Sequence, residues 1–163
     1  MVTGRGARTL VVAVLVLGGC GGSDSGDGDY VNRVDALCKK ANPELAAIQA
    51  ELVQARDRAR AGELKPADTF REFERLLAEA EAVTRRVTAG LRDVSPPSSE
   101  EEFHEDVLKA VEEGAANLRL QQRAARRGDA VELRRLSVEG SRISARSRGL
   151  ADRHGDFRFC GRG

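Results

Sequence analysis

Any chemistry in this chain must come from three cysteines, two histidines and a dense supply of carboxylates and arginines. His104 follows Glu101 at the spacing that puts a carboxylate and an imidazole on one helix face, half of an arrangement that holds paired metal ions inside helix bundles. The second half is missing, because Ala151 stands where a glutamate would have to precede His154. His104 is also flanked by Glu102, Glu105 and Asp106, the composition of a solvated helix start. A serine nucleophile needs a positioned base, and neither imidazole has an arguable geometry with one. Glu112 and Glu113 are adjacent, so on a helix they point different ways and read as surface. Covalent haem needs Cys-x-x-Cys-His, and ligation by methionine needs one other than Met1; the chain has neither. The glycines of residues 18–28 make no phosphate-binding loop. No metal, haem or nucleotide is expected, no catalytic residue is assigned, and the chain reads as non-enzymatic.

The cysteines differ in context. Arg5 and Arg8 precede an unbroken apolar run from Leu10 to Leu17, too short to span a bilayer stably and built like the core of an export signal. Leu17-Gly18-Gly19-Cys20 then resembles the bacterial lipobox, with Leu three residues before the cysteine and small residues between. That resemblance implies diacylglyceryl transfer to the Cys20 thiol and cleavage before it. A lipid on Cys20 replaces the departing apolar run as anchor, and several acyl chains hold far better than one. Gly21 to Gly28 contains only Gly, Ser and Asp, a flexible spacer. The expected organisation is a signal peptide over 1–19, a lipidated cysteine and linker over 20–29, and a folded domain over 30–163. The expected location is the outer face of the bacterial cytoplasmic membrane, or the cell envelope more broadly.

Removal of residues 1–19 takes away Arg5 and Arg8 and no acid, so the net charge of +1 becomes −1. A near-neutral domain gives no electrostatic reason to expect nucleic acid as partner. Aromatic residues are 4% of the chain, with no Trp and one Tyr, Tyr30. The core must therefore be aliphatic.

Four apolar seams at 3-4 spacing predict four helices. The first is Val31, Val34, Cys38, Ala41, Leu45, Ile48, Leu52, Ala55 and Ala59; it keeps phase across Pro43, which predicts one kinked helix rather than two. The second is Phe70, Phe73, Leu77, Ala80, Thr84, Val87 and Leu91, after a break from Gly62 to Pro66. Ser95-Pro-Pro-Ser-Ser99 separates it from the third, Phe103, Val107, Val111, Ala115 and Leu118, with Ser98 or Ser99 as cap and Glu100 to Glu102 suiting the helix dipole. Gly128-Asp129 turns the chain into the fourth, Leu133, Leu136, Gly140, Ile143, Ser147 and Leu150, which Gly155 stops. Short connections make neighbours antiparallel, so the fold class is all-α, an up-down-up-down four-helix bundle with a short C-terminal tail.

In that topology Cys38, near the start of the first helix, and Cys160, beyond the end of the fourth, lie at the same end. The two thiols can form a disulfide in an exported domain, stay free and buried, or share a metal. The chain resembles a set of uncharacterised lipoproteins of high-GC bacteria. It shares their Tyr-Val-x-x-Val-x-x-Leu-Cys start, here Tyr30 to Cys38, and their Gly-x-x-x-x-Cys-Gly ending, here Gly155 to Gly161. The resemblance supports the Cys38–Cys160 disulfide and implies no activity.

Two further features bear on partners. Folding the hairpins about their turns puts Ile48, Ala80, Gly114, Ala115 and Gly140 near one level, where helices either pack closely or leave a small apolar pocket. At the end away from the first helix's start, Arg123, Arg126, Arg127, Arg134 and Arg135 form a candidate anion-binding tip, whose alternative reading is a solvated face. The expected function is a membrane-tethered, non-enzymatic binding or interaction module at the cell envelope, its partner an envelope protein or anionic envelope polymer. The alternative is a carrier of a small apolar ligand inside the bundle.

Overall fold

The structure, a computed structural model, describes residues 25–158 and Cys160. The segment expected to be a signal peptide, Cys20 and Phe159 lie outside the described residues. Four helices follow in order: α1 Ser25–Arg60, α2 Pro66–Arg92, α3 Glu101–Arg126 and α4 Ala130–His154. The all-α four-helix bundle expected from the seams is the observed fold.

Each seam faces inward because each holds its phase at 3.6 residues per turn. In α1 the nine seam positions from Val31 to Ala59 are all buried or half-buried. Pro43 lies within this helix, and α1 continues through it. The hydrogen bond that Pro43 cannot make is to the carbonyl of Lys39, and both residues are on the solvent side. Helix α1 begins at Ser25, five residues before the expected end of the linker. Asp29 there pairs with Arg33 one turn on, 3.3 Å away, a spacing that favours helix over spacer.

The turns use the chemistry the sequence offers, with one exception. Pro66 opens α2 at a position where its missing N–H costs nothing. Gly128 adopts φ +67°, and the Asp129 carboxylate accepts the Glu132 N–H at 2.9 Å to cap α4. Helix α3 departs from expectation: Glu100, not Ser98 or Ser99, occupies the N-cap, and its side chain makes no capping hydrogen bond. Glu101 and Glu102 still lie in the first turn, where the helix dipole favours acids.

The closest backbone packing is α1 on α2, α2 on α3 and α3 on α4; no Cα of α1 lies within 8 Å of one of α4. The C-terminal tail joins the end of α4 to α1. Two apolar clusters fill it. One joins Tyr30, Val34, Leu91, Val94 and Phe157 at the tail end. The other joins Ala41, Ile48, Leu76, Ala80 and Val83 along α1 and α2.

The α3–α4 seam is polar where the sequence suggested a small-residue layer. Asn117 Nδ2 donates to the Leu136 carbonyl at 3.2 Å, Gln121 Nε2 donates to Asn117 Oδ1 at 2.5 Å, and Ser137 Oγ donates to Gln121 Oε1 at 3.4 Å. Gly140 faces this chain of amides: a Cβ there would lie 2.9 Å from Asn117 Oδ1 and 3.3 Å from Gln121 Nε2. Close packing, not a pocket, is thus the outcome at Gly140. Two branched methyls cannot fit without breaking buried hydrogen bonds, so Gly140→Val should lower unfolding free energy by about 2 kcal/mol. Urea denaturation followed by circular dichroism measures this; an unchanged midpoint would contradict the packing.

Candidate functional site

The densest convergence of ionisable and aromatic side chains is at the tail end of the bundle. Cys38 and Cys160 form a disulfide with Cα atoms 5.1 Å apart, although they stand 122 positions apart in sequence. Cys38 is half-buried on the α1 seam, and Gly155, at φ +82°, turns the chain out of α4 so that the tail returns to α1. The carboxylate of Asp35, one turn before Cys38, receives the tail: Oδ2 accepts the Arg158 N–H at 2.9 Å and Oδ1 the Cys160 N–H at 3.0 Å. Asp35 is buried, and these two bonds replace water on both oxygens. Phe157 is buried between these anchors.

The imidazoles complete the layer. His154, the last residue of α4, packs its ring 4.6 Å from Phe103 and 4.7 Å from Phe157, centroid to centroid. Its Nε2 is 2.8 Å from Glu100 Oε2, and its Nδ1 is 3.6 Å from Asp156 Oδ2. His104 is buried, at 7% exposure, which corrects the reading of a solvated helix start. Glu102, Glu105 and Asp106 do face solvent, but His104 lies one position round the helix from them, toward α1. Tyr30 Oη and His104 Nδ1 are hydrogen-bonded at 3.2 Å. Burial, reinforced by the charge of Glu100, pushes the Tyr30 phenol up to about 12. Burial likewise pulls the His104 imidazole below its ordinary value, against the opposing charge of Glu105.

This layer binds chain to chain. Among the described residues the imidazoles hydrogen-bond to Tyr30 and Glu100, not to a serine, threonine or cysteine nucleophile. Among the described residues, no three His, Cys, Asp or Glu side chains are grouped to hold a metal ion. A hollow of about 520 Å³ opens on the surface beside the layer, bordered by Asp35, Lys39, Glu100, His154, Asp156 and Arg158. Its border mixes both signs of charge, and Asp35, Glu100 and His154 are already engaged in holding the tail.

The arginine tip resolves into two kinds of residue. Arg126 pairs with Glu74 of α2 at 2.7 Å, and Arg135 bridges Glu132 at 2.7 Å and Glu139 at 3.2 Å along α4. Arg135 in turn holds the Glu132 carboxyl below its ordinary range. Arg123, Arg127 and Arg134 have no ion-pair partner among the described residues. The five do not form one constellation, because carboxylates at helical spacing and on the facing helix neutralise two of them. Sequence reading missed Asp35, Tyr30, Asn117 and Gln121. For Tyr30 and Asp35 a signal existed: both flank the Val34–Cys38 seam positions, and a wider stripe would have enclosed them.

Two outcomes follow from the layer. Reducing the disulfide should lower the melting temperature by on the order of 10 °C while helical circular dichroism persists below it, because the four seams remain; an unchanged melting temperature would show that the tail contributes nothing. His104, neutral when folded and titrating near about 6.5 when unfolded, contributes stability that is present above that value and lost as pH falls below it. The urea midpoint should therefore fall between pH 7 and pH 5, and His104→Phe should flatten that dependence. Equal slopes in the two proteins would refute the assignment. Comparison with family models, curated proteins and solved structures gives no match to this chain.

Proposed function

We propose that this chain is an exported lipoprotein, tethered through lipid on Cys20 to the outer face of the bacterial cytoplasmic membrane, whose helical domain is a non-enzymatic binding or interaction module of the cell envelope. The observation that carries this reading is the Cys38–Cys160 disulfide. Such a bond persists in oxidising, exported compartments and is rare in a reducing cytosol. It agrees with the apolar run and the Leu17-Gly18-Gly19-Cys20 motif, which supply the route out and the anchor. Among the described residues no helix is long and apolar enough to cross a membrane, so attachment through Cys20 does not compete with a spanning helix there.

The tether is short. Helix α1 begins at Ser25, so the intervening chain reaches at most roughly 18 Å when extended. The disulfide end is then the end nearest the anchor, and its reinforcement resists fraying where the domain is held. A binding role fits a layer whose polar groups join segments of the chain rather than present a nucleophile. Its partner is an envelope component, protein or anionic polymer.

Cys20→Ser tests the tether. In cells fed a labelled fatty acid, the parent chain should incorporate label and fractionate with membranes. The variant should incorporate none, accumulating as precursor or appearing in the soluble fraction. Label retained by the variant would end the reading.

A further inference from the structure

We infer that the outward face of α4 is a docking surface for an anionic phospholipid bilayer. The inference rests on the membrane tether proposed above and names the surface that the tether brings down.

Helix α4 packs its backbone closely on α3, and its far side is exposed. On that side Val131, Arg134, Arg135, Val138, Glu139 and Arg142 border one shallow depression, at spacings that share a helix face. Val131 is 81% exposed and Val138 51%. Among the described residues these are the most exposed large apolar side chains, and they sit one above the other, seven residues apart.

The charge around them has a basic surplus. Three arginines, Arg134, Arg135 and Arg142, stand against two acids, Glu132 and Glu139, and Arg135 takes both of those. Arg134 and Arg142 are left with no ion-pair partner among the described residues. Other exposed arginines are paired across helix junctions, as in Arg75–Glu51, Arg86–Glu44, Arg92–Glu112 and Arg126–Glu74.

Arginines interleaved with exposed valines on one helix face match an interfacial helix, whose apolar side chains enter the headgroup boundary while cations meet anionic lipid. A second copy of this face is disfavoured by like charge, and a polyanion alone would leave the valines in water. The topology fits as well. Helix α4 is about 38 Å long and ends at the disulfide layer beside the first turns of α1, from which the tether departs. A domain lying on α4 therefore needs no stretch of that tether.

The test uses the chain from residue 20 to 163 carrying Cys20→Ser, which keeps every described residue and has no lipid. It is mixed with vesicles of phosphatidylcholine alone, or with an equal part of phosphatidylglycerol, and sedimented. Binding should require phosphatidylglycerol and weaken as salt rises. At about fivefold per arginine, Arg134→Gln with Arg142→Gln should cost roughly 25-fold, and Val131→Ser with Val138→Ser should also weaken binding. All four positions are exposed, so circular dichroism should be unchanged. No binding to phosphatidylglycerol vesicles, equal binding by parent and arginine variants, or binding to soluble polyphosphate without vesicles would each overturn the inference. Because this chain has no lipid, its behaviour is independent of the Cys20 labelling result, and either reading can fail alone.

Discussion

Asp35 accepts two backbone N–H groups from the C-terminal tail, and the Cys38–Cys160 bond lies one helical turn further along α1. The rest of the fold leans on this attachment because the backbones come within 8 Å between α1 and α2, α2 and α3, and α3 and α4, but not between α1 and α4. The tail supplies a direct link from the end of α4 back to α1. In chain-entropy terms a loop of 122 residues removes up to ~5 kcal/mol of freedom from the unfolded chain. That is comparable with the whole stability of an ordinary domain.

The composition explains why such a closure is needed. Aromatic residues are 4% of the chain, and several of the described ones gather in the tail layer, where Tyr30, Phe103 and Phe157 surround the two imidazoles. Away from that end the core is Leu, Val and Ala, with small contact areas. Helix α4 buries only Leu136, Leu150 and Ala151 completely, and its junction with α3 is completed by the amides of Asn117 and Gln121. Such amides contribute modest net stability and fix register, because their geometry fits one alignment of the two helices.

The charged surface works in the same direction. Arg75–Glu51 and Arg58–Glu72 cross from α1 to α2, Arg119–Glu81 and Arg126–Glu74 from α2 to α3, and Arg146–Glu113 from α3 to α4. Exposed pairs are individually worth about 0–1 kcal/mol, so their role is to favour one neighbour and one register over others. Glu81 is the exception in burial, at 8% exposure; held by Arg85 and Arg119, it is a fully engaged acid inside the α2–α3 junction.

The number and inward faces of the helices were legible in the sequence, because an apolar side chain recurring every three or four residues has one face to bury whatever it packs on. The turns were legible at Pro66, Gly128 and Gly155 for the same local reason: each backbone shape suits a particular residue. The shared end of Cys38 and Cys160 followed from counting antiparallel helices. Polar burial was not legible. His104 stands among three acids and reads as solvated, yet one step round the helix it meets Tyr30, a residue 74 positions away. Asp35, Asn117 and Gln121 carry no local mark of their partners, since a hydrogen bond depends on where two distant backbones pass. The fate of the arginine tip was undecided for the same reason. Arg135 finds Glu132 and Glu139 at helical spacing on its own helix, but Arg126 finds Glu74 only because α2 faces it, and that pairing depends on tertiary structure.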